Sequence, residues 1–180
     1  RVMALDGNGF SVERLGDKLA KKIWKGTRFK REDIEVENPT STTVEYLTPS
    51  SIFMRGEGVK YYDLSRCTPG RRAEILSHKA QEGEILITRS GTIGRTIVVG
   101  RTLLGKILSD DLIRVWIEDV EMRALVFAFL RSQEGQDQIS RNEYGTVQQH
   151  LEPFHVADMQ IPIPDDSVKL DKLKKKGKEQ

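Results

Sequence analysis

The sequence predicts an α+β domain: a twisted, mixed β-sheet with a helical C-terminal half. Three observations predict it. Three short runs rich in β-branched residues, 84–88, 96–99 and 112–117, follow one another with turn residues between them. An amphipathic stretch comes next, with Met122, Leu125, Val126 and Phe129 at i, i+3, i+4 and i+7, one apolar stripe of a helix. The length, 180 residues, is about one domain's worth, enough to bury roughly 70% of the unfolded surface around one core.

The elements follow in order. Leu15 and Leu19 are spaced i,i+4 and predict a short helix over 15–20. Gly26 and the aromatic and β-branched residues near it turn the chain to strand after Ala20. Pro39 and a Ser/Thr run make 37–43 a loop, and 45–53 reads as a strand broken at Pro49. Pro69–Gly70 reads as a turn inside a second loop, 66–72. In 112–117, Ile113, Val115 and Ile117 alternate with Arg114 and Trp116, the period of a half-buried strand. Asp119 is placed to N-cap a helix over 121–132, and Gly135 marks a break. A second helical piece covers 136–142. Each proline of the "IPIP" run at 161–164 pushes its predecessor out of helical space, so that run is extended. The division expected is one domain over 1–164 and a basic tail over 165–180, where a linker helix would begin.

Composition narrows the function classes. The chain is 37% hydrophobic and 31% charged, which opposes disorder, and no apolar run approaches the ~20 residues of a membrane span. The single cysteine, Cys67, excludes an internal disulfide framework and a four-cysteine zinc site. No signal-peptide pattern follows Arg1, so the expectation is a fragment of a cytoplasmic protein with no membrane partner. The net charge of +2 hides an uneven distribution. Arg14, Lys18, Lys21, Lys22, Lys25, Arg28, Lys30 and Arg31 face only Asp17 within 14–31, and Arg89, Arg95, Arg101 and Lys106 face no acid within 88–108. Before the tail, arginines outnumber lysines 15 to 8. The planar guanidinium fork suits phosphates and guanine edges, so the bias leans toward nucleic acid, although a solvated mixed-charge surface would look the same.

Catalytic motifs are missing. "GRTLLGKI" at 100–107 approaches a phosphate loop, but Ile107 stands where the magnesium-holding Ser or Thr belongs, and a hairpin connection explains the segment better. No Asp-x-Lys or Glu-x-Lys occurs, as a metal-dependent nuclease core would need, and Asn38–Pro39 is followed by Thr40 rather than by the Pro-aromatic pair of an adenine methyltransferase. His78, His150 and His155 lack metal-ligand spacing. Neither a metal nor a catalytic residue is predicted.

Two stretches are distinctive together. "EGEILITRSGTIGRTIVV" at 82–99 is a strand, an Arg-Ser-Gly-Thr-Ile-Gly turn and a returning strand. "LVFAFLRSQEGQDQISRNEYGTVQQHLEPFHVADMQIPIP" at 125–164 is a helix pair, a Gly-Thr-x-Gln turn at 145–148, a Pro-started segment and an extended exit. In this order they resemble the target recognition domain of type I restriction–modification specificity subunits. "VERLGDKLAKKIWKGTRFK" looks like that family's opening segment, more loosely matched. Glu84 replaces the family's common Asp, and the tail stops short of its long helix.

The resemblance implies a non-catalytic domain that reads one half of a bipartite double-stranded DNA target. An adenine methyltransferase subunit, and a restriction subunit, would carry the chemistry. S-adenosylmethionine would bind that methyltransferase, so no cofactor is expected in this domain. The missing half of the site would come from a second recognition domain or a homodimer.

Chemistry selects the candidate contacts. Lys21, Lys22, Lys25, Arg28 and Lys30 would hold phosphates. Arg89, Ser90, Thr92 and Arg95 lie on the predicted hairpin tip, and Gln148 and Gln149 carry amide edges matched to adenine. Each has a plainer reading: solubilising lysines, hydroxyls that satisfy their own turn, a glutamine that pins its backbone. The alternative function is an assembly domain that docks a methyltransferase subunit with little DNA affinity of its own.

Overall fold

The computed structural model describes residues 9–54, 58–141 and 150–165. In chain order the strands and helices are β1 (Phe10–Arg14), β2 (Lys22–Lys25), β3 (Glu35–Val36), β4 (Thr43–Leu47), α1 (Pro49–Phe53), β5 (Lys60–Asp63), α2 (Pro69–Ser77) and β6 (Ile85–Thr88). They continue as β7 (Thr96–Val98), β8 (Ile107–Leu108), β9 (Leu112–Trp116), α3 (Val120–Arg131), α4 (Gln133–Arg141), α5 (Pro153–Ala157) and β10 (Gln160–Pro164). The α+β class holds, with the strands divided among three sheets. The chain forms two compact units and passes between them more than once: Lys25–Glu84 and Val99–Leu112 make the second, and the rest makes the first.

In the first unit β1 pairs antiparallel with β10, Phe10 opposite Pro164 and Arg14 opposite Gln160. Pro162 and Pro164 are tolerated because β10 has a partner on one side only. A four-stranded sheet runs β2-β9-β6-β7. Ile85 and Ile87 of β6 and Ile113 and Val115 of β9 point to one face, where they meet Val126, Phe129 and Leu130 of α3, Ile139 of α4 and Val156 of α5. Burying each such side chain is worth about 1.5–3 kcal/mol. Asp119 N-caps α3 as its position predicted, accepting a bond from Met122 N at 2.7 Å. Arg114 departs from the alternation: it is 2% exposed on the face away from that core.

The second unit carries the sheet β3-β5-β4-β8, antiparallel except for the parallel β4–β8 pair, in which Tyr46 lies opposite Ile107. Ile34, Tyr46, Tyr62, Ile75 and Ile107 form its core. Phe29 meets Tyr46 and Tyr62 edge-on, with centroids 5.9 and 6.2 Å apart, the geometry that ring quadrupoles favour.

Several local expectations change. The helix over 15–20 is a five-residue π-helical turn, Leu15–Leu19, with only Leu15 fully buried. Pro49 begins a helix instead of breaking a strand: Thr48 Oγ1 accepts from Ser51 N at 3.3 Å while Ser51 Oγ accepts from Thr48 N at 2.8 Å. Pro69 likewise opens α2 behind the N-cap Thr68, so the expected loop over 66–72 is half helix. The break near Gly135 falls at Ser132, whose Oγ donates to Phe129 O at 2.7 Å and accepts from Gly135 N at 3.2 Å. Gly135 is needed because a Cβ there would lie 2.1 Å from Phe129 O. The segment 100–107 is not a hairpin connection, because β7 and β8 belong to different sheets. No described helix is long and apolar enough to cross a membrane, and the described residues hold no group of three metal-ligating side chains.

Candidate nucleic-acid interface

In the first unit the Arg-Ser-Gly-Thr-Ile-Gly segment joins β6 to β7, paired antiparallel with Ile85 opposite Val98. Thr88 closes it. Its buried Oγ1 donates to Thr92 O at 2.5 Å and accepts from Arg95 N at 3.0 Å, while its backbone bonds Arg95 O and Gly94 N at 2.9 and 3.0 Å. Gly91 and Gly94 sit at φ of 68° and 83°, a region that other residues enter only with strain. Gln136 of α4 grips the tip, donating from Nε2 to Gly94 O at 3.1 Å and to Leu130 O at 2.7 Å.

This frame sorts the predicted tip residues. Thr92 and Arg95 are exposed and Ser90 is half-buried, so all three lie on the accessible side of a braced loop. Arg89 is placed differently: its side chain is 11% exposed. It donates from Nε to Leu151 O at 3.2 Å, its guanidinium pairs with Glu152, and its carbonyl accepts from Leu151 N at 3.0 Å. Arg89 thus ties the tip to the segment entering α5. Gln148 and Gln149 lie outside the described residues.

The predicted phosphate contacts divide between the units. Lys21 and Lys22 belong to the first, and Lys25, Arg28 and Lys30 to the second, and all five are exposed. Lys21 pairs with Glu118, both side chains more than 60% exposed, an ion pair that costs little to exchange for another anion. Lys22 and Trp24 share one face of β2, the ammonium 4.5 Å from the ring centroid. Arg114 reaches the same ring at 4.9 Å. Sequence reasoning missed this pairing; the signal was a lone arginine within the otherwise apolar run 112–117.

In the second unit, Arg71 of α2 holds the basic segment 28–31. It forks onto both Asp33 oxygens at 2.6 and 2.8 Å and donates to Lys30 O at 2.5 Å. The charge-assisted bond from Arg71 keeps the Asp33 carboxyl at about 2, well below the ordinary carboxylate range. Arg31 lies over the Tyr46 ring, 5.1 Å from its centroid, and donates to its hydroxyl. The arrangement is a set of exposed cations on tied-down backbone, suited to holding a polyanion.

Three solved structures share this architecture. The S subunit of a type I restriction–modification system from M. genitalium matches with a TM-score of 0.54 at 14% identity, over 96% of this chain and 39% of that one. A chain from a study of complex assembly and conformational transition in the type I R-M system gives 0.59 at 15% identity, over 99% and 42%. The HsdS subunit from Thermoanaerobacter tengcongensis gives 0.56 at 16%, over 94% and 41%. The fold is that of part of a type I S subunit. The resemblance carried by the hairpin and the helical half therefore extends to the architecture, and the chain spans about two-fifths of each of these three chains. No protein-family model matches the sequence, and no curated protein matches it.

Proposed function

We propose that this chain reads one half of a bipartite double-stranded DNA target for a restriction–modification complex. The observation that carries the reading is the fold shared with S subunits over nearly the whole chain, at about two-fifths of their length. The braced tip with Ser90, Thr92 and Arg95 on its accessible side supports it, as do the exposed cations of β2 and the segment after it. In this reading Lys21, Lys22, Lys25, Arg28 and Lys30 meet phosphates, the tip enters a groove, and Gln148 and Gln149 add amide edges. Arg89 positions the tip and does not read a base. The chain itself is non-catalytic. An adenine methyltransferase subunit supplies methylation and its own S-adenosylmethionine, and a second recognition domain or a second copy supplies the other half-site.

The experiment is selection from a randomised duplex library at moderate salt, followed by sequencing of the retained DNA. The expected result is an enriched motif of about three to five base pairs, what one domain's handful of groove contacts specifies. Absence of retention even at low salt refutes the reading and leaves the docking of a methyltransferase subunit as the function.

A further inference from the structure

One peptide plane of the tip between β6 and β7 is bonded on both sides. The plane joins Gly94 to Arg95. Its N–H, from Arg95, donates to Thr88 Oγ1 at 3.0 Å. Its carbonyl, from Gly94, accepts from Thr96 Oγ1 at 3.0 Å and from Gln136 Nε2 at 3.1 Å. Thr88 and Thr96 are part of the hairpin itself, whereas Gln136 belongs to α4 and ties the plane to the body of the first unit.

The helix that carries Gln136 is anchored in turn. Gln138 lays its carboxamide along β10 as a neighbouring strand would, donating to Gln160 O at 3.0 Å and accepting from Gln160 N at 2.9 Å. Ile139 is 1% exposed in the core. Gln136 and Ile139, three residues apart on one face of α4, flank Gly94 so closely that a Cβ there would lie 3.1 Å from each. Gln136 also donates to Leu130 O at 2.7 Å, at the end of α3. One amide group thus answers two carbonyls, which a carboxylate could not do, having no hydrogen to donate.

Gln136 is uncharged and half-buried behind the tip, so it adds nothing to the attraction for phosphates. What it fixes is the plane from which the Arg95 side chain departs and the loop that carries Ser90 and Thr92. A hydrogen bond to a base edge needs its donor held to within about 0.5 Å, whereas attraction to the phosphate backbone is independent of sequence. We propose that Gln136 is a positioning residue for base readout, setting the sequence preference of the tip without meeting DNA. The proposal rests on the DNA reading above and adds that preference is set from α4, separately from affinity for the backbone.

Duplex selection and salt titration test it with two variants. Gln136→Met keeps the length and removes the donor; Gln136→Ala favours the helix and admits water to both carbonyls. Gln136→Lys restores a donor at similar reach. Ser132→Ala is the control for a merely structural role, since Ser132 Oγ fastens the same α3–α4 junction through Phe129 O and Gly135 N rather than through the tip. Amide spectra establish that each variant is folded. In Gln136→Met and Gln136→Ala, the ratio of affinity for the enriched motif to affinity for a random duplex should fall about fivefold, the worth of one hydrogen bond. The preference should relax at one or two base pairs, while random-duplex affinity and the salt slope keep their parent values. Gln136→Lys should recover the ratio, and Ser132→Ala should lower the urea midpoint and leave the ratio alone. A ratio unchanged in Gln136→Met and Gln136→Ala, not recovered by Gln136→Lys, or lowered equally by Ser132→Ala overturns the proposal and leaves the DNA reading in place. A parent protein that retains no duplex even at low salt fails the DNA reading itself, and the proposal falls with it.

Discussion

Arg89 separates a structural brace from a base reader, because the two roles predict opposite outcomes for one substitution. Arg89→Ala removes the bond to Leu151 O at 3.2 Å and the ion pair with Glu152, whose side chain is only 29% exposed. Hydrogen bonds to charged groups contribute about 1.5–3 kcal/mol each, and the half-buried carboxylate is left without its cation. Partial solvent access to Glu152 lowers the total, so the expected loss is about 2 kcal/mol. Glu152→Gln keeps the shape and removes the charge, and should cost about 1 kcal/mol. The double variant should fall short of the sum by about 1 kcal/mol, the coupling of residues in direct contact.

Urea unfolding of the four proteins measures this cycle. The midpoint should move while the slope stays constant, since the surface exposed on unfolding is unchanged. A free reader gives the reverse pattern: stability within about 0.3 kcal/mol of the parent, zero coupling to Glu152, and sequence preference relaxed at one base pair. That result would refute the brace and return Arg89 to the groove.

Other expectations follow from single interactions. Gly94→Ala places a Cβ 3.1 Å from Gln136 Oε1 and from Ile139 Cγ2 at a φ of +83°, and should cost about 2–3 kcal/mol by calorimetry or urea titration. Tyr62→Phe should leave stability within about 0.5 kcal/mol or raise it, because the buried Tyr62 hydroxyl has no partner among the described residues; a loss above about 1 kcal/mol would show that it has one. Asp33, held at about 2 by Arg71, contributes stability that is complete above its unfolded value near 4 and is lost as pH falls from about 4 to 2. Arg71→Ala should return the carboxyl to the ordinary range in a carbon-detected NMR titration. Alanine at Lys21 and Lys22 should weaken binding to all duplexes alike and reduce the salt slope by about 0.9 for each phosphate that is no longer neutralised. Unchanged slopes would remove them from the interface.

What the sequence made legible was local. The stripe Met122–Leu125–Val126–Phe129 and the cap Asp119 identify α3, and alternation identifies β9, because their periods are set by the geometry of one element. The passage of the chain between two units was not legible. It depends on where β7 and β8 find partners, and β8 is two residues that pair with a strand some sixty positions earlier. Prolines misled for a related reason. Pro49 and Pro69 break structure when read alone, yet each follows a threonine whose hydroxyl caps the turn it opens, so the pair Thr-Pro was the signal. Arg114 was misread because alternation tells the two faces of a strand apart but not which of them is covered.

The site residues show where reading by residue type stops. Four residues of the tip look alike as donors in sequence, yet the fold gives them different work. Thr88, overlooked as a strand end, closes the loop from inside, and Arg89 leaves the tip to hold Leu151 and Glu152. Thr92 and Arg95 remain on the accessible side because the turn bonds are made by Thr88 and by backbone groups. A tip stiffened from behind loses less conformational entropy when it meets a groove than one that must order itself on binding. The same logic covers the second unit, where the Arg71–Asp33 fork orders the segment carrying Arg28 and Lys30, the residues proposed to meet phosphates. On the proposed DNA-reading function, loosening either brace should therefore weaken binding while every proposed contact residue stays in the chain. Arg71→Ala tests this directly: duplex affinity should fall while the salt slope, which counts phosphates neutralised, stays unchanged, well inside the ~0.9 that one phosphate contact is worth. A slope that drops by about 0.9 would mean that Arg71 meets a phosphate itself.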